Sequence, residues 1–103
     1  MKFLLKSRDV IHSFWVPNLS GKMDLIPGQT NTAWLAADRA GEFRGQCAEF
    51  CGIQHAIMAF WVVAEASEVF SNWLARERGP AVEPADPVLA RGQQVFLSSP
   101  CVL

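Results

Sequence analysis

The sequence carries almost no excess charge, few cysteines and no long apolar run. Nine Lys and Arg residues stand against ten Asp and Glu residues, which gives a formal net charge of −1. That balance excludes the basic surface that binds phosphate backbones, so nucleic acid is not an expected partner. Three cysteines are too few for a disulfide scaffold. The longest apolar stretch, residues 56–64, falls well short of the ~20 residues that span a bilayer.

The signatures of common enzyme sites are absent as well. The seven glycines never form the G-x-G-x-x-G or G-K-[ST] pattern of a phosphate-binding loop, and no Ser–His–Asp set is evident. Apolar side chains are plentiful: half of the 103 residues are hydrophobic, with seven Phe and four Trp. This length suits one domain with a modest core.

The hydrophobic pattern predicts a mainly β domain. Short apolar or β-branched stretches bounded by turn residues predict strands at residues 3–5, 14–16, 30–36 and 42–46. Residues 18–28 are predicted to form a loop, because they end in the turn signal Pro27-Gly28. Residues 58–64 form a near-continuous apolar run of strand length, which predicts a central, buried strand with Trp61 in the core.

A helical pattern follows the last predicted strand. Ser67 is a suitable N-cap, and the spacing of the next apolar residues forms one helical face: Val69, Phe70, Trp73 and Leu74. Gly79 and Pro80 are expected to end this helix. Residues 79–87 hold three of the six prolines and are predicted to be a linker. Residues 88–97 fit a second short helix.

The most informative stretch is residues 46–58, which concentrates donors that bind soft metals. Cys47, Cys51 and His55 follow one another at intervals of four, Met58 comes three positions later, and His12 lies thirty-five positions before Cys47. Both histidines of the chain and two of its three cysteines therefore belong to one candidate cluster. Thiolate, thioether and imidazole donors together select copper over magnesium or calcium.

Spacing alone leaves three interpretations of this cluster open. Two thiolates can bridge two copper ions, each of which then needs one imidazole and one weak donor. The two cysteines and two histidines can instead hold one tetrahedral zinc ion. The third interpretation has no metal: Cys47 and Cys51 form a local disulfide, His55 lies on the surface and Met58 fills the core.

Three segments of the chain resemble subunit II of cytochrome c oxidase: residues 7–17, residues 22–28, and residues 45–52 followed by His55 and Met58. The resemblance covers roughly residues 3–75. It implies an all-β, Greek-key, cupredoxin-like sandwich, N-terminally incomplete, with a C-terminal helix and linker. It also implies a binuclear copper A centre, with these ligands: His12, Cys47, Cys51, His55, Met58 and the backbone carbonyl of Glu49. The Glu49 carboxylate is implied to help bind magnesium at the boundary with subunit I.

The same resemblance implies a function in respiration. As a subunit of an oxidase enzyme, the domain would accept electrons from cytochrome c and pass them to haem in subunit I. Its expected place is the outer, periplasmic face of the bacterial cytoplasmic membrane, with membrane association through parts absent from this chain. Two alternatives remain: the copper A domain of nitrous-oxide reductase, which the segment Lys22 to Gly28 disfavours, and a structural zinc-binding module.

The end of the chain carries a second resemblance. Residues 90–97, followed by Cys101, are similar to the start of a cytochrome c domain. A haem attachment site has the form C-x-x-C-H, and Cys101 to Leu103 would supply only its first three residues, so no haem is expected on this chain. The predicted organisation is therefore a partial copper A domain at 1–78, a linker at 79–87, and a truncated cytochrome c-like beginning at 88–103.

Overall fold

The structure, a computed structural model, describes residues 1–100 and is built mainly from short strands. The described strands are β1 (Lys2–Leu5), β2 (His12–Trp15), β3 (Met23–Leu25), β4 (Asn31–Trp34), β5 (Gly41–Cys47) and β6 (Ala59–Ala64). Two helices follow them, α1 (Ser67–Glu77) and α2 (Pro87–Leu97). The strands predicted at both ends of the β region, the strand before the cysteine loop and both helices are therefore confirmed, with boundaries displaced by a few residues.

The strands form two antiparallel sheets whose order brings distant residues together. One sheet has the order β3-β2-β5-β6, and the other pairs β1 with β4. β2 lies beside β5 with Phe14 opposite Cys47. Alternate residues of a strand share a face, so His12 lies on the same face as Phe14 and Cys47. This register explains how thirty-five positions of sequence are bridged.

Aromatic rings join the two sheets. Phe3 of β1 lies 5.7 Å from Phe14 of β2, and Phe14 stacks on Phe60 of β6 with the ring centroids 5.2 Å apart. The buried residues Leu5, Val16, Ala33 and Leu35 come from both sheets or their ends. Burial of such side chains is the main favourable contribution to folding, so the β region is a small sandwich with an apolar interior.

Two features of the sheet differ from the sequence-based prediction. Residues 18–28, predicted to be loop, contain the three-residue strand β3, whose Asp24 pairs with Ser13. β6, predicted to be central and buried, is an edge strand within residues 1–100, and Trp61 is 63% exposed. A continuous apolar run shows strand length but does not show how many neighbours the strand has, and only alternate residues of β6 face the interior.

The chain divides into two compact units, residues 1–70 and residues from Ser71 onward. In the second unit, α2 has a conventional start: Asp86 Oδ1 accepts hydrogen bonds from the backbone of Val88 at 2.7 Å and of Leu89 at 3.3 Å. No helix within residues 1–100 has the length and apolar character needed to cross a membrane. The predicted domain boundaries at 78 and 88 stay predictions, and Cys101 lies outside the described residues.

Candidate metal centre

The loop between β5 and β6 is closed by backbone hydrogen bonds. Cys47 N–H donates to the carbonyl of Met58 at 3.0 Å, and Ala48 N–H donates to the carbonyl of Ser13 at 2.9 Å. Gly52 adopts φ 121°, a conformation that favours glycine because it has no Cβ. His55 N–H then donates to the carbonyl of Gly52 at 3.1 Å, at the start of a short 3₁₀ turn. The loop therefore folds back on itself and returns Met58 to the cysteines.

The two thiols of the loop lie beside each other without being bonded. Cys47 Sγ and Cys51 Sγ are 3.8 Å apart, and both cysteines are free. A disulfide needs a separation of about 2.05 Å, so the structure shows the dithiol form. Two thiolates that share one tetrahedral ion at about 2.3 Å each lie about 3.8 Å apart. The observed separation thus fits a metal held between the two sulfurs.

Each thiol also lies close to one imidazole and to one weaker donor. Cys47 Sγ is 3.9 Å from His12 Nδ1 and 3.2 Å from the carbonyl oxygen of Glu49. Cys51 Sγ is 3.6 Å from His55 Nδ1 and 3.9 Å from Met58 Sδ. The structure therefore brings together all six residues that the sequence and the resemblance nominated. The Glu49 side chain is exposed, and its predicted part in magnesium binding stays a prediction.

The solvent exposure of the cluster increases from Cys47 to Met58. The ligand atoms of His12, Cys47 and Cys51 all lie within 4.8 Å of one another. Cys47 is buried and Cys51 is half-buried, whereas Met58 is 41% exposed. The Cys47 end of the cluster is therefore enclosed by the protein, whereas its Met58 end faces solvent.

The two thiols differ in acidity. Burial acts to raise the pKa of Cys47, but hydrogen bonds with the backbone at Ser13 and Glu49 and with the His12 ring outweigh it and lower that pKa to about 6. Burial and the neighbouring Cys47 raise the pKa of Cys51. Near neutral pH the metal-free cluster therefore holds one thiolate and one thiol. Metal binding must displace the remaining proton, so affinity is expected to fall as the pH falls.

One residue of the site was missed by the sequence analysis. Asp9 Oδ1 lies 3.0 Å from His12 Nε2, and this hydrogen bond is the largest cause that raises the pKa of His12 and lowers the pKa of Asp9 to about 2. The available signal was the position of Asp9 three residues before a candidate histidine ligand, since metal-binding histidines commonly bond a carboxylate through their second nitrogen.

Comparison with known proteins identifies the family. The family model described as cytochrome c oxidase subunit II, periplasmic domain, matches residues 1–66. The chain belongs to this family. Cytochrome c oxidase subunit 2 of Alkalihalophilus pseudofirmus is 43% identical over 100 residues, which cover 97% of the chain and 29% of that relative. The chain thus spans less than a third of the length of this subunit II relative.

Solved structures of subunit II confirm the fold. The periplasmic domain of subunit II of cytochrome oxidase from Bradyrhizobium japonicum superposes with a TM-score of 0.69 at 36% identity, covering 73% of the chain and 54% of that domain. A second structure holds a mixed disulfide intermediate between a thioredoxin-like protein and subunit II of cytochrome c oxidase; it matches with a TM-score of 0.62 at 35% identity, over 73% of this chain and 53% of that one. The predicted cupredoxin-like sandwich is confirmed.

Proposed function

We propose that this domain carries electrons in a terminal oxidase and holds a binuclear copper centre for that purpose. The proposed ligands are the side chains of His12, Cys47, Cys51, His55 and Met58 and the carbonyl oxygen of Glu49. The observation that supports it best is that each of two sulfurs 3.8 Å apart lies near one imidazole and one weak donor. When bound, such a centre supplies one-electron exchange with little change of geometry.

The number of donors favours two ions over one. A single structural zinc ion is satisfied by four ligands, and the two thiols and two imidazoles would suffice. That arrangement would leave the Met58 thioether, 3.9 Å from Cys51 Sγ, and the Glu49 carbonyl, 3.2 Å from Cys47 Sγ, without a role. If two ions share both thiolates, each ion would also have one imidazole and one weak donor, so the six groups would give each ion four ligands.

Family membership supports the rest of the proposal. The domain would work at the outer face of the bacterial cytoplasmic membrane, accepting electrons from cytochrome c and passing them to haem in subunit I. The exposed Glu49 carboxylate would contribute to a magnesium site at the subunit I boundary. The dithiol form of Cys47 and Cys51 is the form that binds metal, and a thioredoxin-like partner, as in the related mixed disulfide complex, would keep the pair reduced.

Copper loading tests this function directly. We expect two copper ions per chain, measured by metal analysis of the purified protein. Electron paramagnetic resonance should show one unpaired electron shared by two copper nuclei, and zinc-loaded protein provides the silent control. Preference for copper over zinc is not decisive, because most nitrogen and sulfur sites show it. A stoichiometry of one metal, or a spectrum from a single copper nucleus, contradicts the proposal.

Met58→Leu is expected to change the reduction potential while copper stays bound. Leu matches Met in volume, and Met58 is 41% exposed, so the packing cost should stay below about 1.5 kcal/mol. The lost thioether is a weak donor that tunes the potential of a copper–thiolate site. Met23→Leu, which alters a methionine of β3, is the matched control in voltammetry. If Met58→Leu and Met23→Leu have the same potential as the parent, Met58 is not a ligand.

A further inference from the structure

The His12 ring is contacted at both of its nitrogens. Nδ1 lies 3.9 Å from Cys47 Sγ, inside the cluster, and Nε2 lies 3.0 Å from Asp9 Oδ1, outside it. A carboxylate can only accept a hydrogen bond, so the proton must reside on Nε2. When the ring is doubly protonated, Nδ1–H can donate to the Cys47 thiolate; in the neutral ring, the form that binds a metal, the lone pair lies on Nδ1, the nitrogen that faces the thiols.

Asp9 is itself held in place, although its side chain is 71% exposed. Ser7 Oγ lies 3.0 Å from Asp9 Oδ1 and accepts the backbone N–H of Asp9 at 3.4 Å. Ser7 in turn forms a parallel bridge with Pro27, which ties this turn to the loop after β3. The hydroxyl of Ser7 also lies 2.5 Å from the Val10 carbonyl oxygen, and Asp9 has further hydrogen bonds with the Val10 backbone and the His12 ring, so several contacts of the turn before β2 favour the rotamer that faces the ring.

His55 provides an internal contrast. Its Nδ1 lies 3.6 Å from Cys51 Sγ, and its ring makes an edge contact with Phe50 at a centroid distance of 5.7 Å. Within residues 1–100 the hydrogen-bond contacts of the His55 ring are with the thiols of Cys51 and Cys47, and no carboxylate pairs with it. The two imidazoles are therefore inequivalent: His12 is backed by a carboxylate, and His55 is not.

We propose that Asp9 is a positioning residue for the copper centre. By accepting the Nε2 proton of His12, it fixes the tautomer and the orientation of the ring and makes His12 the stronger of the two imidazole donors. This inference rests on the proposed copper function. Carboxylate partners of metal-binding histidines commonly act in this way, and their removal typically costs 10–100-fold in metal affinity or activity.

Three variants separate this role from general loss of charge: Asp9→Ala, Asp9→Asn and Asp24→Asn. Asp9→Ala removes both the acceptor and the charge, whereas Asp9→Asn keeps an amide oxygen that can accept the His12 proton. Asp24→Asn removes another exposed charge, one whose side chain has no bond to a proposed ligand. Each variant is loaded with copper and measured for affinity by chelator competition, for reduction potential, and for its paramagnetic resonance spectrum.

We expect Asp9→Ala to lower copper affinity about 10–100-fold and to alter the resonance spectrum. Asp9→Asn should restore most of the parent spectrum, while both Asp9 variants shift the potential upward because a weaker imidazole donor stabilises oxidised copper less. Asp24→Asn should match the parent in all three measurements. Parent affinity and spectrum in Asp9→Ala overturn the proposal, as does an equal potential shift in Asp24→Asn.

A metal-free measurement keeps this proposal separate from the copper function. Nitrogen NMR of the apoprotein, at a pH above the raised pKa of His12, reports which ring nitrogen is protonated. The parent and Asp9→Asn should show a proton fixed on Nε2, and Asp9→Ala should show a mixture of tautomers. The same mixture in the parent refutes the positioning role even if copper binds. A fixed tautomer in a protein that binds no copper pair refutes only the proposed function.

Discussion

Replacing Cys47 with serine is expected to abolish copper binding. Cys47 Sγ lies within 3.9 Å of three other proposed donors, Cys51 Sγ, His12 Nδ1 and the Glu49 carbonyl oxygen, the last being the nearest at 3.2 Å. Its pKa of about 6 makes it the thiolate of the cluster at neutral pH. A serine hydroxyl does not ionise there and is a hard donor that copper disfavours. Metal analysis should find less than one copper per chain.

Controls for this prediction come from the other two cysteines. Cys51→Ser should be as damaging, because both sulfurs are proposed to be shared. Cys101→Ser should leave copper binding unchanged, since Cys101 is outside the proposed ligand set. Circular dichroism checks that the fold survives, as serine and cysteine are close in size. A Cys47→Ser or Cys51→Ser protein that still binds two copper ions shows that the thiolates do not bridge them.

The candidate donors could be recognised in the sequence because they are scarce and concentrated, although their spacing alone left copper, zinc and a metal-free cluster open. With only two histidines in the chain, a cluster that needs two imidazoles had to include His12. The sequence did not show how His12 comes close to Cys47. The cause is the pairing of β2 with β5, which places Phe14 opposite Cys47. Such pairing joins residues that are far apart in the sequence, so a local pattern does not specify it.

The missed features share a physical cause. β3 has three residues, including a charged Asp24, so neither length nor alternation identified it. β6 has the composition of a buried strand, yet Trp61 is exposed because composition does not report the number of neighbouring strands. Asp9 has the sequence context of an ordinary turn residue, and only the folded structure shows its hydrogen bond with His12. Each of these depends on tertiary placement.

Gly45→Ala is expected to destabilise the β domain strongly. Gly45 lies opposite Phe60 in the β5–β6 pair, and a Cβ added there would lie 2.3 Å from the tip of the Phe60 ring. That ring cannot simply swing aside, because it stacks on Phe14 in the interior. Overpacking of this kind costs about 1–3 kcal/mol, a large share of the roughly 5–15 kcal/mol that stabilises a domain. Thermal denaturation should show each lost kcal/mol as a fall of roughly 4–8 °C in Tm.

The same strand supplies a matched control. A Cβ on Gly41 would meet only the Phe43 ring at 3.7 Å, an ordinary contact, so Gly41→Ala should be nearly neutral.

Combining Gly45→Ala with Phe60→Leu removes the clashing ring tip, and the double variant should be more stable than the sum of the single changes predicts. Cys47 lies two residues after Gly45 on the same strand, so a shift of β5 would also move a proposed ligand. The Gly45→Ala protein should therefore bind added copper less tightly than the parent. Equal stability of Gly45→Ala and Gly41→Ala would mean that the Phe60 ring relaxes freely and does not hold β5 in register.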